Sequence, residues 1–332
     1  MNNTPSFVSR IFQSGLLLLT LGVVAARAQT AAPATTTPAP AADSAVSLPQ
    51  ILIAGDSTSN NGANLGWGSH LASFFDPTKV SVVNLGRAGL SARTYTTGGN
   101  WARVASQIHP GDVVLIQFGH NDINIPGGPA KDTVKNRSSV EGIGEETVEV
   151  TAANGRTETV YTFGHYLRQF IADSKAKGGI PVLFSLTVRN EWTDGKVERG
   201  FGNYGLWTAQ QAKASGVDFV DFTNIVADQY DKMGKAAVTP WYPKDTTHSS
   251  PEGAEFNALN IVAGLKTLKN DPVANWFSDK GKAVPPATMS MTFADPKAQE
   301  KPRPSLLPMP GATASAVPAT SAAPASATPS AK

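Results

Sequence analysis

The sequence predicts an α/β protein in which a parallel β-sheet of about five strands is doubly wound, with helices on both faces. Short apolar runs recur along the chain, and each ends at a turn that contains Gly, Asn or Asp. Stretches with helical spacing of apolar side chains separate these runs. Strands that alternate with helices lie parallel and side by side, so a three-layer α/β/α, flavodoxin-like fold follows.

The individual elements follow from these two periodicities. Buried strands are predicted where the apolar runs are continuous, at 51–54, 80–85, 112–119, 180–186 and 217–221. Helices are predicted where apolar residues recur every three or four positions, at 66–75, 162–172, 204–214, 224–235 and from Pro251 onward. Residues 123–161 are too long for an ordinary connection, so they are predicted to form a functional loop beside a substrate groove.

The ends of the chain differ in composition from its middle. A basic residue, an apolar run and an Ala-x-Ala site predict a secretory signal peptide at residues 1–28. The alternative, a membrane anchor, needs roughly 20 apolar residues, and this run is shorter. Residues 29–48 and 286–332 are rich in Ala, Pro, Ser and Thr and are predicted to be a disordered linker and tail. One sizeable domain remains, at 49–285.

Charge and cysteine content exclude several classes of function. The chain has 28 basic residues, two of which (Arg10 and Arg27) belong to the predicted signal peptide, so 26 basic residues face 26 acidic ones in the mature chain. This balance argues against nucleic acid and anionic membrane as partners. The chain contains no cysteine, which excludes thiol chemistry and cysteine-ligated metals. We expect a monomer without cofactor.

Five polar or glycine residues follow the predicted strands and are candidates for a catalytic site. They are Ser57, Gly89, Asn121, Asp245 and His248. The carboxyl ends of parallel strands meet at one edge of a sheet, which places these residues near one another. A serine hydroxyl needs a neighbouring base, and His248 has Asp245 three residues upstream to orient it. Each motif alone is also typical of an ordinary turn or helix cap.

In their order along the chain, Ser57, Gly89, Asn121 and His248 resemble the four sequence blocks of the SGNH (GDSL-like) hydrolases. The flanking residues resemble the rhamnogalacturonan acetylesterase branch of that superfamily, over residues 50–268. The resemblance implies a flavodoxin-like fold and an oxyanion site formed by the N–H groups of Ser57 and Gly89 and the amide of Asn121. It also implies a secreted esterase that removes acetyl groups from pectic polysaccharide through a covalent Ser-His-Asp mechanism.

Other catalytic interpretations fit the sequence less well. An α/β-hydrolase requires Gly-x-Ser-x-Gly, whereas the residue two places after Ser57 is Ser59. The spacing of the five histidines, and of Asp245 with His248, does not suit a metal, so none is predicted. A glycosidase would need paired catalytic carboxylates, but Glu145, Glu146 and Glu149 are interpreted as a solvated surface.

Two alternatives for the function stay open. One is a lipolytic esterase or thioesterase of the same superfamily, which would have an apolar acyl pocket. The other is a non-catalytic polysaccharide-binding protein, which would have no need of all five candidate residues. Aromatic residues suited either to stacking on sugar rings or to the core are Trp101, Trp192, Tyr204 and Trp207. Arginines suited either to binding uronate carboxylates or to surface salt bridges are Arg93 and Arg189.

Overall fold

A computed structural model describes residues 47–123, 137–151, 155–200 and 202–294. These residues belong to one compact unit that begins at Ser47. The predicted signal peptide, most of the predicted linker and the part of the predicted tail beyond 294 lie outside the described residues, so they stay predictions.

The strands and helices alternate along the chain. The strands are β1 (Gln50–Gly55), β2 (Ser81–Asn84), β3 (Val113–Gln117), β4 (Thr147–Thr151), β5 (Thr157–Tyr161), β6 (Ile180–Phe184), β7 (Trp192–Thr193), β8 (Lys196–Val197) and β9 (Asp218–Val220). The α-helices are α1 (Ala92–Thr97), α2 (Asn100–Ala105), α3 (Phe163–Ala176), α4 (Tyr204–Ser215), α5 (Phe222–Met233), α6 (Lys235–Val238), α7 (Pro251–Leu265) and α8 (Asp279–Ala283).

Five parallel strands form the central sheet in the order β2–β1–β3–β6–β9. Counted within the sheet alone, this is the order 2-1-3-4-5, which confirms the predicted flavodoxin-like arrangement. The order reverses direction between β1 and β3, because the chain first moves outward to β2 and then returns to the other side of β1. A ligand site is expected at this reversal, outside the carboxyl ends of the strands.

Side chains of each central strand alternate between two hydrophobic cores, one on each face of the sheet. Ile51 and Ile53 of β1 pack in the core that includes α5 and α7. Leu52 and Ala54 pack in the core that includes α1, α2, α3 and α4. All four side chains are fully buried, which accounts for the continuous apolar run in this strand. The sheet is therefore the middle layer of a three-layer fold, as predicted.

The prediction of an α-helix at 66–75 is wrong. This stretch consists of two 3-10 turns, Trp67–Ser69 and Leu71–Phe74. A Cβ atom at Gly68 would lie 2.5 Å from the Asn84 side-chain nitrogen and 2.8 Å from the Ser59 carbonyl oxygen. The backbone at Gly68 therefore packs against the loops that follow β1 and β2.

Two antiparallel hairpins stand outside the central sheet. β4 pairs with β5 within the long connection that the sequence predicts as a functional loop. β7 pairs with β8 in the connection between β6 and α4. The second hairpin is anchored on α5, because the N–H of Val197 donates to Asp231 and Arg199 forms ion pairs with Asp228 and Asp231.

The described chain continues past the predicted domain boundary at 285. The N–H and hydroxyl of Ser290 donate to Asp228, and the N–H of Phe293 donates to Asp221. The ring of Phe293 lies against Gly205, where it takes the space that a Cβ atom would need. The predicted tail thus begins with residues that bind the domain through two buried carboxylates.

Candidate active site

The turn after β1 presents Ser57 at the carboxyl edge of the sheet. Asp56 is fully buried, and its Oδ1 accepts hydrogen bonds from the N–H (2.8 Å) and the hydroxyl (2.7 Å) of Thr58. The Thr58 hydroxyl lies 2.9 Å from Oε1 of Gln117 at the end of β3. Burial raises the pKa of Asp56 above its ordinary value, although the hydrogen bonds from Thr58 lower it. Backbone and side-chain bonds on both sides of Ser57 therefore fix the turn that carries it.

His248 lies within hydrogen-bonding distance of Ser57. Its Nε2 atom is 2.8 Å from Oγ of Ser57, and its Nδ1 atom is 2.7 Å from Oδ2 of Asp245. Oδ1 of Asp245 accepts the N–H groups of Thr247 and His248, both at 2.7 Å. An ionised Asp245 accepts a hydrogen bond from Nδ1–H, which leaves Nε2 as the acceptor for the Ser57 hydroxyl. The three residues form one continuous hydrogen-bonded chain.

Hydrogen bonds keep the carboxylate of Asp245 ionised to low pH. Partial burial raises its pKa, but the bonds donated by His248 and Thr247 outweigh burial and hold the pKa below its ordinary value. A carboxylate that stays ionised at acidic pH can orient an imidazole and stabilise its protonated form. The electrostatics of this pair therefore suit a base that gains a proton during a reaction.

The loop that carries Asp245 and His248 is tied to the segment after β6. The N–H of Asn190 donates to the carbonyl of Thr246 (2.8 Å), and the Thr246 hydroxyl donates to Oε1 of Glu191 (2.9 Å). Thr246 lies between Asp245 and His248, so both bonds hold the part of the loop that carries these two residues. We call the contact between Asn190–Glu191 and Thr246 the base-loop tether.

The loop after β2 carries Gly89, the second predicted block residue. Its φ is +76°, a conformation that favours glycine, and its carbonyl accepts a hydrogen bond from Nη1 of Arg137 at 2.6 Å. Asn121, after β3, lies beside the same loop because its Nδ2 donates to the carbonyl of Leu90 at 3.0 Å. Since β1 lies between β2 and β3, the loops of Gly89 and Asn121 flank the turn of Ser57.

Asp122 joins this loop to the insertion that follows β3. Both of its carboxylate oxygens accept the N–H of Ala92 at the start of α1, and Oδ1 accepts the Ser139 hydroxyl at 2.5 Å. Burial raises the pKa of Asp122 to about 7, despite the bonds from Ser139 and Ala92. Asp122 is therefore a structural neighbour of Asn121 that holds the Gly89 loop in place.

His120, on the other side of Asn121, is buried and neutral. Its Nε2 atom lies 2.7 Å from the hydroxyl of Thr187, and burial lowers its pKa to about 3. The side chains of His120 and Asn121 have different partners, the hydroxyl of Thr187 and the carbonyl of Leu90.

Most of the side chains considered for sugar binding are part of the core. Trp101, Tyr204 and Trp207 are buried in the core on the α3 side of the sheet. Trp192 is half-buried, and its Nε1 donates to Asn190. Arg93 is buried in a bidentate ion pair with Glu158, with N···O distances of 2.9 and 2.8 Å. These contacts rule out stacking by the three buried aromatics and make Arg93 a structural residue.

In the part of the chain that the structure describes, no group of three or more His, Asp or Glu residues could hold a metal ion. Among the helices of the same residues, none combines the length and the apolar character needed to cross a membrane.

The chain matches a known protein family. A profile of the GDSL-like lipase/acylhydrolase family matches residues 53–256, which is more than half of the chain. The chain belongs to this family. It is therefore a carboxylic-ester hydrolase, and the resemblance that the sequence indicates is confirmed.

Two curated relatives come from the acetylesterase branch. The chain is 34% identical to a rhamnogalacturonan acetylesterase of Emericella nidulans over 208 residues, which are 63% of this chain and 81% of that protein. It is 26% identical to a probable rhamnogalacturonan acetylesterase of Bacillus subtilis over 230 residues, covering 66% of this chain and 93% of that protein.

A solved structure supports the fold. The crystal structure of the Bacillus subtilis protein YxiM superposes with a TM-score of 0.51 at 21% identity, over 67% of this chain and 57% of that one. At this identity the similarity shows a shared fold and leaves the function to the arrangement of side chains.

Sequence reasoning missed Arg137 and the base-loop tether. The partner of Arg137 is 48 positions away in the sequence, and no periodicity or motif connects the two residues. The tether joins Asn190 and Glu191 to a residue more than 50 positions further along the chain. The one signal for this segment is that Arg189–Trp192 follow the strand predicted at 180–186.

Proposed function

We propose that the protein is a secreted carbohydrate acetylesterase that hydrolyses O-acetyl esters of a plant cell-wall polysaccharide, namely acetylated rhamnogalacturonan, with Ser57, His248 and Asp245 as catalytic triad. The observation that carries this proposal is the hydrogen-bonded chain from Oγ of Ser57 through His248 to Asp245, at 2.8 and 2.7 Å. Such a chain activates a hydroxyl that is otherwise a weak nucleophile.

In the first half of the reaction, Ser57 becomes acetylated. Nε2 of His248 takes the hydroxyl proton as Oγ forms a bond to the acetyl carbon, and the carbonyl π electrons move to the oxygen. The oxyanion is stabilised by the N–H groups of Ser57 and Gly89 and by the amide of Asn121. The bond to the sugar oxygen then breaks, and His248 returns its proton to that oxygen. The products of this half-reaction are a deacetylated sugar and an acetyl-enzyme.

In the second half, water replaces the sugar. His248 takes a proton from a water molecule as its oxygen attacks the acetyl carbon, and the same donors stabilise the second oxyanion. Collapse of this intermediate releases acetate and returns the proton from His248 to Oγ of Ser57. Asp245 orients the imidazole and stabilises its charged form in both halves without taking the proton itself.

The oxyanion donors are supported by their location. Gly89 has a positive φ, and its carbonyl accepts a hydrogen bond from Arg137. Asn121 has a second amide hydrogen besides the one directed at Leu90. Both loops border the turn of Ser57 at the point where the strand order reverses.

The substrate class is supported by the curated relatives, which carry the name rhamnogalacturonan acetylesterase. Export is supported by the sequence of residues 1–28 alone, and the N-terminal residue of the mature protein tests it directly. If the protein is exported, Edman sequencing finds a mature N-terminus near Gln29, whereas an intact Met1 overturns export.

The decisive test compares acetate release from acetylated rhamnogalacturonan, acetylated xylan and a series of nitrophenyl esters from C2 to C8. A sugar acetylesterase admits a bulky alcohol and a small acyl group, so we expect release from rhamnogalacturonan and kcat/KM falling from acetyl to octanoyl. A lipolytic enzyme gains about 0.8 kcal/mol for each buried methylene, so its kcat/KM rises with chain length. A steady rise to C8 would therefore replace this proposal with the lipolytic alternative.

A further inference from the structure

Arg137 places a positive charge beside the predicted oxyanion site. Its Nη1 atom donates to the carbonyl of Gly89 at 2.6 Å, and a Cβ atom at Gly89 would lie 3.2 Å from the same nitrogen. The guanidinium therefore lies directly against the backbone of the residue whose N–H is proposed to bind the oxyanion. Arg137 is half-buried, so part of its side chain also faces solvent.

The backbone at Arg137 is anchored on both neighbouring loops. The carbonyl of Ser138 accepts a hydrogen bond from Arg93 at 2.8 Å, and Arg93 is itself fixed by its bidentate ion pair with Glu158. The N–H of Ser139 donates to the carbonyl of Asp122 at 3.1 Å, and its hydroxyl bonds the Asp122 carboxylate. These bonds fix the two residues that follow Arg137, which lowers the entropy cost of using its side chain for binding.

A guanidinium in this position has the chemistry of a carboxylate receptor. It has five N–H donors in a planar fork that matches a carboxylate with two parallel hydrogen bonds, and the carbonyl of Gly89 takes one of them. Guanidinium keeps its charge at every physiological pH, so the interaction does not depend on the protonation state of the site.

We propose that Arg137 binds the carboxylate of a uronate in the substrate and thereby selects acidic over neutral acetylated polysaccharides. The proposal rests on the proposed function, because rhamnogalacturonan contains galacturonate whereas xylan has a neutral backbone. Of the arginines considered from the sequence, Arg93 is occupied by Glu158, and Arg189 follows β6, with Nη1 at 3.9 Å from Glu191 near the base-loop tether. Arg137 donates directly to the Gly89 carbonyl.

The test uses paired acetylated oligosaccharides that differ only in whether the sugar at the acetylated site is a uronate or the corresponding neutral sugar. We measure kcat and KM for the wild-type chain, Arg137→Gln and Arg137→Lys, with nitrophenyl acetate as a substrate that lacks the uronate. Arg103→Gln is the matched control, because Arg103 is an exposed arginine on α2 and its replacement removes the same charge.

We expect the wild type to prefer the uronate oligosaccharide by about tenfold or more in kcat/KM, mainly through KM, as for one charge-assisted hydrogen bond or bidentate pair. Arg137→Gln loses this preference, and its loss on the uronate substrate exceeds its change on nitrophenyl acetate by about tenfold. Arg137→Lys retains part of the preference because it keeps the charge without the fork. Arg103→Gln retains all of it.

Two results would overturn the inference while the proposed function stands. If Arg137→Gln lowers kcat by the same factor on all three substrates, Arg137 acts only by positioning Gly89. If it keeps the wild-type preference, Arg137 makes no contact with the uronate. A wild-type chain that cleaves nitrophenyl acetate but neither oligosaccharide rejects the polysaccharide function itself, and the inference with it.

Discussion

The two partners of the Ser57–His248 hydrogen bond stand on very different parts of the molecule. Ser57 is 6% exposed and follows β1, an inner strand of the sheet, next to the fully buried Asp56. The side chains of His248 and Asp245 are 33% and 48% exposed, on a loop without regular secondary structure. We call these regions the nucleophile side and the base side.

The two sides are held in place by different means. On the nucleophile side, strand pairing and buried hydrogen bonds from Thr58 fix the turn, so distortion there disturbs the core. On the base side, the loop is held by the hydrogen bonds that Asp245 accepts from the N–H groups of Thr247 and His248, and by the base-loop tether. Substitutions that remove the buried hydrogen bonds of the nucleophile side should therefore affect stability and activity together, whereas those on the base side should affect activity alone.

The largest effect is expected from removal of the reacting groups. Ser57→Ala and His248→Ala should each lower kcat by about 10⁴-fold or more with nitrophenyl acetate, because proton transfer and nucleophilic attack both fail. Asp245→Asn should lose less, since it disturbs the orientation of a base that is still present. Tm close to that of the wild type would show that the fold is intact, and near wild-type kcat in Ser57→Ala would end the covalent mechanism.

A smaller loss is expected for the oxyanion donor. Asn121→Ala should lower kcat by about 10²- to 10³-fold with little change in KM, as for the removal of one donor that acts mainly in the transition state. Steady-state kinetics with nitrophenyl acetate measure both constants. An effect confined to KM would instead make Asn121 a residue that binds the ground state.

Asp56→Ala tests whether the nucleophile side couples stability to activity. The substitution leaves the buried N–H of Thr58 without its acceptor, so we expect a loss of about 1–3 kcal/mol in the free energy of unfolding. Without these hydrogen bonds the turn no longer holds Ser57 in one position, so kcat should fall by about tenfold. Denaturant unfolding and kinetics on the same sample measure the two quantities, and unchanged stability would argue against the coupling.

Thr246→Val should give the smallest effect and complete the comparison. It removes the hydroxyl bond to Glu191 on the base side but keeps the backbone bond from Asn190. We expect kcat to fall two- to fivefold, with about 0.5 kcal/mol or less lost from stability, since the hydroxyl is exposed to solvent. Thr78→Val, which also removes an exposed threonine hydroxyl that donates to a carboxylate, is the control. A large stability loss in Thr246→Val would mean that the two sides are not held differently.

The sequence predicts the nucleophile side better than its surroundings, and the reason is physical. The strand before Ser57 is buried on both faces, so it reads as a continuous apolar run, and the residues at its exit follow from the topology. Asp245 and His248 are recognisable because they lie three positions apart. Their pairing with Ser57, 191 positions from His248, required the family resemblance as well as the motif.

Contacts between distant irregular segments leave no such pattern. Arg137 and Gly89 meet through a single bond between two loops, and nothing in either local sequence indicates the partner. Trp101 and Trp207 show the opposite difficulty, because an aromatic side chain that packs inward and one that binds sugar have the same local sequence signal. Local propensity likewise favoured a helix at 66–75, where close packing against Asn84 produces 3-10 turns instead.

The contacts of residues 286–294 determine where the domain can be truncated. In a chain that stops at residue 285, Asp228 would lose the hydrogen bonds donated by Ser290. Asp221 would lose those donated by Thr292 and Phe293. Both carboxylates are buried, so each would have to be held with fewer donors in an environment that penalises charge. The smallest portable unit of this enzyme, for fusion to a binding module or for display on a surface, therefore runs at least to Ala294.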